Sequence, residues 1–219
     1  MSELSFPESV IVTAQKIDLS LLTKEGRDFY KTLFSDIVAL YQSKNKNRVV
    51  VGFTGPTGSG KSVITSLFLE FAKQIPLSFE VCTLTIDAFH FPNEYLESHV
   101  DTVGKKLKEV KGRFDTYDVQ KLLDALVDFK EGKRLSLPIY SRELHNPVEN
   151  AVSVISEKAL LIIEGLWLLY PHGLWRKLAP LLDFKIFIEA DKEKSKTRWS
   201  VAMCEADDRK RRPTIIMIP

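Results

Sequence analysis

Cysteine is scarce in this chain. The two present, Cys82 and Cys204, are too few and too far apart for a disulfide framework or a metal knuckle, so free thiols are expected. Cys82 reads as core filler. An excess of charge is also missing. A formal net charge of +2 over 219 residues creates no general field for nucleic acid or a membrane surface, although basic residues do gather near the C-terminus. No apolar stretch reaches the length that spans a bilayer. The first ten residues carry Glu3, Pro7 and Glu8 in place of a basic start and an apolar run. No signal peptide is readable, and a cytoplasmic protein is expected. Internal repeats and low-complexity tracts are absent as well.

What is present is an apolar content of 44%, enough for one domain with a sizeable core. Phe29, Tyr30, Leu33, Phe34, Ile37, Val38 and Tyr41 recur at helical spacing and predict an amphipathic helix over 23–43. Residues 1–47 therefore read as an N-terminal helical segment packed on a main domain, 48–219. A second helix carries Val63, Ile64, Leu67, Phe68, Phe71, Ala72 and Ile75 and should stop at Pro76. A third contains Val119, Leu122, Leu123, Leu126 and Val127, with Gly132 as its C-terminal cap. A buried strand is read at 48–54 and a second strand at 80–86, apolar runs at 159–163 and 183–188 read as central parallel strands, and polar residues (Asp87, Glu164, Glu189) stand where the last three end. Strands alternating with helices predict a doubly wound, mainly parallel α/β sheet with helices on both faces and ligands at its carboxyl edge. The polar stretch 92–118 reads as a long loop whose lysines form a solvated charged face.

The strand at 48–54 runs straight into G-P-T-G-S-G-K-S at 55–62. This pattern, G-x-x-x-x-G-K-S, is a triphosphate cradle. Its glycines, Gly55, Gly58 and Gly60, allow positive φ, so backbone N–H groups turn inward toward phosphate. Thr57, Ser59 and Val63 complete the backbone surface of the cradle. Lys61 adds a point charge, and Ser62 can ligate Mg²⁺; the helix that follows places its positive end at the same spot. ATP and Mg²⁺ are the expected cofactors.

Asp87, in D-A-F-H at 87–90, can accept a proton from a substrate hydroxyl or hold Mg²⁺ through water; its bland alternative is a turn cap. Glu164, at the end of a wholly apolar strand, needs a cation to be tolerated there, which points to Mg²⁺ or Lys61. Arg198, Arg209, Arg211 and Arg212 fall within a basic segment, about 191–213, that could close as a lid over the phosphates. Arg198 is the candidate catalytic arginine.

With these residues in hand the chain resembles the P-loop kinases that include pantothenate kinase, uridine kinase and phosphoribulokinase. The resemblance rests on the cradle, then T-I-D-A-F-H-F-P-N-E-Y-L at 85–96 and K-G-R-F-D-T-Y-D-V-Q-K-L-L at 111–123. It continues with P-I-Y-S-R-E-L-H-N-P-V at 138–148 and L-I-I-E-G-L-W-L-L at 161–169. By that resemblance Asp87 matches the catalytic base and Tyr140 a substrate-contacting tyrosine. Arg142 and His145 stand where pantothenate kinase has a histidine and a tyrosine. The combination of R-x-x-H-N-P-V at 142–148 with E-G-L-W-L-L at 164–169 and the tryptophan at Trp175 resembles more closely the uncharacterised uridine kinase-like or nucleoside kinase-like members. His90, Asn93, Tyr140, Arg142 and His145 are the expected acceptor contacts, with Phe89, Phe91 and Trp167 as an apolar wall; core packing is the alternative for these aromatics and for Trp175. After Arg198 the family's usual helices are not seen, and T-I-I-M-I at 214–218 could be a last strand.

The expected activity is therefore ATP-dependent phosphorylation of a small-molecule hydroxyl, on a nucleoside, sugar or polyol, with a pantothenate-like acid ranked behind them. A nucleotide-dependent switch is the alternative, weakened by the absence of a guanine-specific N-K-x-D segment; a non-catalytic nucleotide-binding protein is another. No nucleic-acid or membrane partner is expected, and a homodimer is left open.

Overall fold

The computed structural model describes residues 4–12, 14–189 and 214–218. The expected lid at 191–213, with Arg198, Arg209, Arg211 and Arg212, lies outside the described residues, and so does Cys204.

The N-terminal segment holds more than a helix. A short antiparallel hairpin, β1 (Ser9–Val12) and β2 (Gln15–Asp18), precedes α1 (Lys24–Ser43). Thr23 caps α1 by accepting the Gly26 N–H at 3.2 Å, which satisfies one of the amides that a helix start leaves unpaired. Leu33, Phe34, Ile37, Val38 and Tyr41 form its buried stripe, as their spacing predicts.

The central sheet is built from β3 (Arg48–Thr54), β4 (Glu80–Thr85), β7 (Ala159–Glu164), β8 (Phe184–Glu189) and β9 (Thr214–Ile218), in the order β4-β7-β3-β8-β9. The first four are parallel, and β9 joins β8 antiparallel as the edge strand. Strand alternation sends Val49, Val51 and Phe53 to one face, where they meet α1 and α2 (Lys61–Ala72). Val50, Leu161 and Ile163 face the other side, against α4 (Val119–Lys130). Both faces of β3 and β7 are covered, so every residue of these strands is buried, as a central parallel pair requires.

Two local expectations change, and one block gains a structure. The cradle helix α2 ends at Ala72, ahead of Pro76, and Ile75 packs on the core from the turn beyond it. The stretch 92–118 is not one long loop: it holds α3 (Asn93–Ser98) and two short 3₁₀ turns, knotted by Arg113 bonding both Asp101 and Asp115. The block at 138–148 lies in an antiparallel hairpin, β5 (Leu135–Ser141) and β6 (Asn146–Val154), whose register shifts between Leu137 and Ile139. Pro138 sits at that shift, where a residue with no N–H to give the ladder costs least.

Asp183 ties the opposite edge of the sheet together. Its carboxylate accepts from Lys46 at 2.9 Å, Lys130 at 2.8 Å and the Val50 N–H at 2.9 Å. It thus links the connection after α1, the end of α4 and the first half of β3.

Candidate active site

The phosphate side follows from β3. Its last residue, Thr54, leads into Gly55, whose φ of +151° and closeness to the Ile188 carbonyl leave no room for a Cβ. The loop then enters α2 at Gly60, which has φ +92° and offers no side-chain cap. The first-turn amides of α2 are consequently left for an outside acceptor, at the positive end of the helix. Ser59 Oγ is buried and has no partner among the described residues, a second sign that the loop is shaped for something polar. Lys61 Nζ donates to the carbonyls of Gly55 and Pro56, both at 2.9 Å, which folds its charge over the cradle. Burial lowers the Lys61 pKa, with Glu164 and Asp87 pulling the other way. Thr57 is exposed at the mouth, whereas the Val63 side chain packs on the core, so only its amide can serve.

Parallel register brings the acidic groups to the same edge. Glu164 pairs with Phe53 on one side and Thr85 on the other. Gly165 follows because a Cβ there would overlap the side chain of Ile86 at 2.5 Å. Glu164 Oε1 accepts the Ser62 hydroxyl at 2.8 Å. Burial and the nearby Asp87 raise the Glu164 pKa, against the opposing pull of Lys61. A buried carboxylate so placed, beside a hydroxyl, is a hard-oxygen donor set that fits Mg²⁺. Among the described residues no cluster of three or more His, Cys, Asp or Glu could hold an ion alone; Mg²⁺ sites that share the ion with substrate phosphates need no such cluster.

Asp87 stands in a 3₁₀ turn, Ile86–Phe89, directly after β4. Thr85 Oγ1 caps that turn by accepting the Asp87 N–H at 3.3 Å, so the Asp87 carboxylate is not the cap. Instead Oδ1 accepts the Tyr117 hydroxyl at 3.2 Å, and the Asp87 side chain is 52% exposed. Its carboxylate is thus held at one oxygen and open to the edge where the cradle lies.

The acceptor side is assembled from three segments. Lys111 Nζ donates to Asn93 Oδ1 at 2.7 Å and to the His145 carbonyl at 2.6 Å, and lies 5.3 Å from the centroid of the Tyr140 ring. The Asn93 N–H donates to Asn146 Oδ1 at 2.9 Å, joining α3 to the hairpin. His145, at φ +47°, turns the hairpin and leaves its own ring exposed. Arg142 is exposed on the same turn, with no carboxylate partner among the described residues. Lys111 therefore departs from the expected solvated face, and burial lowers its pKa. Sequence reasoning passed over it and Tyr117, although both lie in the quoted 111–123 block.

Other expected contacts are placed differently. His90 is buried, its ring stacked on Tyr117 at 3.8 Å, behind Asp87. Phe89 is a core residue at 1% exposure, so it forms no pocket wall. Phe91 stacks on Tyr95 at 4.3 Å, and Trp167 Nε1 donates to the Gly112 carbonyl at 2.9 Å, beside Lys111. Trp175 is buried, as the packing reading has it.

Fold and cradle together define a P-loop nucleotide-binding α/β domain with a carboxylate set at the same sheet edge. Residues 50–200 match the model of the Phosphoribulokinase / Uridine kinase family, and the chain belongs to that family. Among its relatives is the uncharacterized protein YggC of Escherichia coli, 36% identical over 82% of this chain and 72% of that protein. The pantothenate kinase of Streptococcus mutans is 29% identical over 78% of this chain. The chain spans only 53% of that enzyme's length. Among solved structures, a proposed fructose transport system kinase from Silicibacter sp. TM1040 superposes with a TM-score of 0.67 at 24% identity, covering 80% of this chain and 84% of its own. A proposed uridine kinase from Bacillus stearothermophilus gives a TM-score of 0.58 at 20% identity, covering 82% and 90%. Both likenesses speak to the fold.

Proposed function

We propose that the chain is an ATP-dependent kinase that moves the γ-phosphoryl group to a hydroxyl of a small metabolite. The observation that carries this reading is Asp87: a carboxylate free of any capping duty, anchored at one oxygen and open at the edge where the cradle opens. In the reaction the acceptor O–H gives its proton to Asp87, and the oxygen forms its bond to the γ-phosphorus. The bond from that phosphorus to the β–γ bridging oxygen breaks, and ADP leaves with the electron pair. The α2 amides and Lys61 carry the negative charge of the phosphates through this step. Ser62 and Glu164 would hold Mg²⁺, which when bound neutralises charge on the β- and γ-phosphate oxygens.

On the acceptor side, Lys111, Asn93, Tyr140 and the turn at Arg142 to His145 supply donors and a ring, suited to a nucleoside, sugar or polyol. An acidic group on the acceptor would meet Lys111 first and Arg142 at the rim. Pantothenate ranks below these, since Arg142 puts a permanent cation where the pantothenate kinase resemblance calls for a histidine, and His145 stands in place of a tyrosine. A small-molecule acceptor, and no nucleic acid or membrane, is the partner on this reading. The cytoplasm is the compartment proposed; among the described residues no helix is long and apolar enough to cross a membrane.

The test is a coupled ADP-release screen against nucleosides, sugars, polyols, hydroxy acids and pantothenate, run with the unmodified chain and with Asp87→Asn. Acceptor-dependent ADP release is expected, falling by about 10²–10⁴ in the variant while ATP affinity is retained. Absence of any acceptor-stimulated release, or near-normal turnover in Asp87→Asn, would end this reading.

A further inference from the structure

The Asp87 side chain is about half exposed, and a half-exposed aspartate has a soft terminal torsion. Its carboxylate plane swings widely unless something holds it. Two buried rings stand at Oδ1. The Tyr117 hydroxyl lies 3.2 Å away and His90 Nε2 lies 4.0 Å away. Only one of these can bond to it. His90 Nδ1 is 3.0 Å from the Thr116 carbonyl, which only accepts, so Nδ1 carries the proton and a neutral ring turns the Nε2 lone pair toward Asp87. Burial favours that neutral ring by lowering the His90 pKa, against opposing contributions from the Thr116 bond and Asp87. The proton at Oδ1 therefore comes from Tyr117.

Tyr117 is itself held on every side. It is 5% exposed, its ring stacks on His90 at 3.8 Å and 22°, and it meets Trp175 edge-on at 5.4 Å and 82°. The backbone is pinned to the Asp87 turn by an antiparallel bridge between His90 and Tyr117. Flanking bonds run from the Phe91 N–H to the Thr116 carbonyl at 3.1 Å and from the Asp118 N–H to the Phe89 carbonyl at 2.7 Å. A hydroxyl with so little freedom is a fixed post, and a fixed donor at Oδ1 fixes the direction of Oδ2.

Resting on the kinase reading above, we infer that Tyr117 is a positioning residue: with His90 as its stacking platform, it holds the Asp87 carboxylate so that Oδ2 faces the acceptor hydroxyl. When the acceptor's proton arrives on Oδ2, Oδ1 becomes the carbonyl-like oxygen and keeps the Tyr117 bond. The hydrogen bond therefore persists through the step and need not be rebuilt. This role makes no demand on ATP, whose cradle lies on β3 and α2.

The experiment is a double-mutant cycle of Tyr117→Phe and Asp87→Asn, using the acceptor with the highest turnover in the screen. Phenylalanine keeps the ring and both stacking contacts and removes only the hydroxyl. We expect kcat to fall by about ten- to a hundredfold, the size of one lost hydrogen bond to a charged group. The KM for ATP and the thermal midpoint should stay as they are. In the Asp87→Asn background the same change should cost nothing further, because the group it positions is gone. A residue that merely stabilises the fold would lower the midpoint and leave activity per folded molecule intact. Should Tyr117→Phe not fold, fluorotyrosine at position 117 keeps the shape and alters the donor strength, and an unchanged kcat there overturns the inference. Normal turnover in Tyr117→Phe beside an impaired Asp87→Asn sinks the inference and leaves the kinase reading standing. Acceptor-independent behaviour of the unmodified chain sinks both.

Discussion

Replacing Asp183 with asparagine should loosen the whole sheet while leaving the cradle's affinity for ATP unchanged. The side chain is 4% exposed and takes three donors, Lys46 on Oδ1, Lys130 and the Val50 N–H on Oδ2. An amide has one acceptor oxygen, so in Asp183→Asn at least one of these donors faces an NH₂ group. Breaking one side of a buried ion pair costs about 3–5 kcal/mol. The figure must be reduced here, because Lys46 is 53% exposed and can return to water, whereas Lys130 is 24% exposed. A loss of about 2–4 kcal/mol results, or a fall of roughly 5–15 °C in Tm for a chain of this size. Burial pushes the Asp183 carboxyl up, but bonds from Lys130, the Val50 amide and Lys46 outweigh it and hold the pKa below the ordinary value. A depressed folded pKa gives stability that is present above the unfolded value of about 3.9 and lost as pH falls through the folded one. The gap between the two proteins should therefore be full near neutral pH and shrink as pH falls below about 4. Urea unfolding followed by circular dichroism at a series of pH values measures this. A neutral-pH difference under about 0.5 kcal/mol, the range of ordinary surface changes, would refute the reasoning.

Three further variants test the site. Lys61→Ala should abolish turnover and weaken ATP·Mg²⁺ binding without unfolding the chain, since Nζ bonds only the loop carbonyls that it spans; calorimetric titration showing wild-type affinity would contradict this. Lys111→Met should raise the acceptor KM by about 10–100-fold through the loss of charged hydrogen bonds, with the KM for ATP unchanged. Arg142→Ala should have the smaller effect, because Arg142 is exposed at the rim; the reverse order in steady-state kinetics would move the main acceptor cation from Lys111 to Arg142.

The phosphate side of this protein was legible in the residues themselves because its chemistry is local. Gly55 to Ser62 is one contiguous segment, and the apolar runs of β3 and β7 announce strands buried on both faces without reference to any partner. Helical spacing likewise located α1 and α4. Glu164 could be placed because a strand's end in a parallel sheet is known once the strand is.

What tertiary structure alone decided are the contacts between segments far apart in the chain. Tyr117 meets Asp87 across 30 residues, Lys111 meets the His145 carbonyl across 34, and Asp183 meets Val50 across 133. A lysine in a basic run carries no mark of which way it faces. Lys111 turns inward only because α3 and the β5–β6 hairpin place two oxygens within its reach, while Lys108 pairs with Glu97 at 2.8 Å on the surface. His90 had the composition of a ligand contact and was buried instead, since the bridge to Tyr117 stacks its ring against that neighbour. Periodicity and motif report on what a segment does with its own backbone; the orientation of a polar side chain depends on donors and acceptors brought from elsewhere, and those are fixed only when the chain closes on itself.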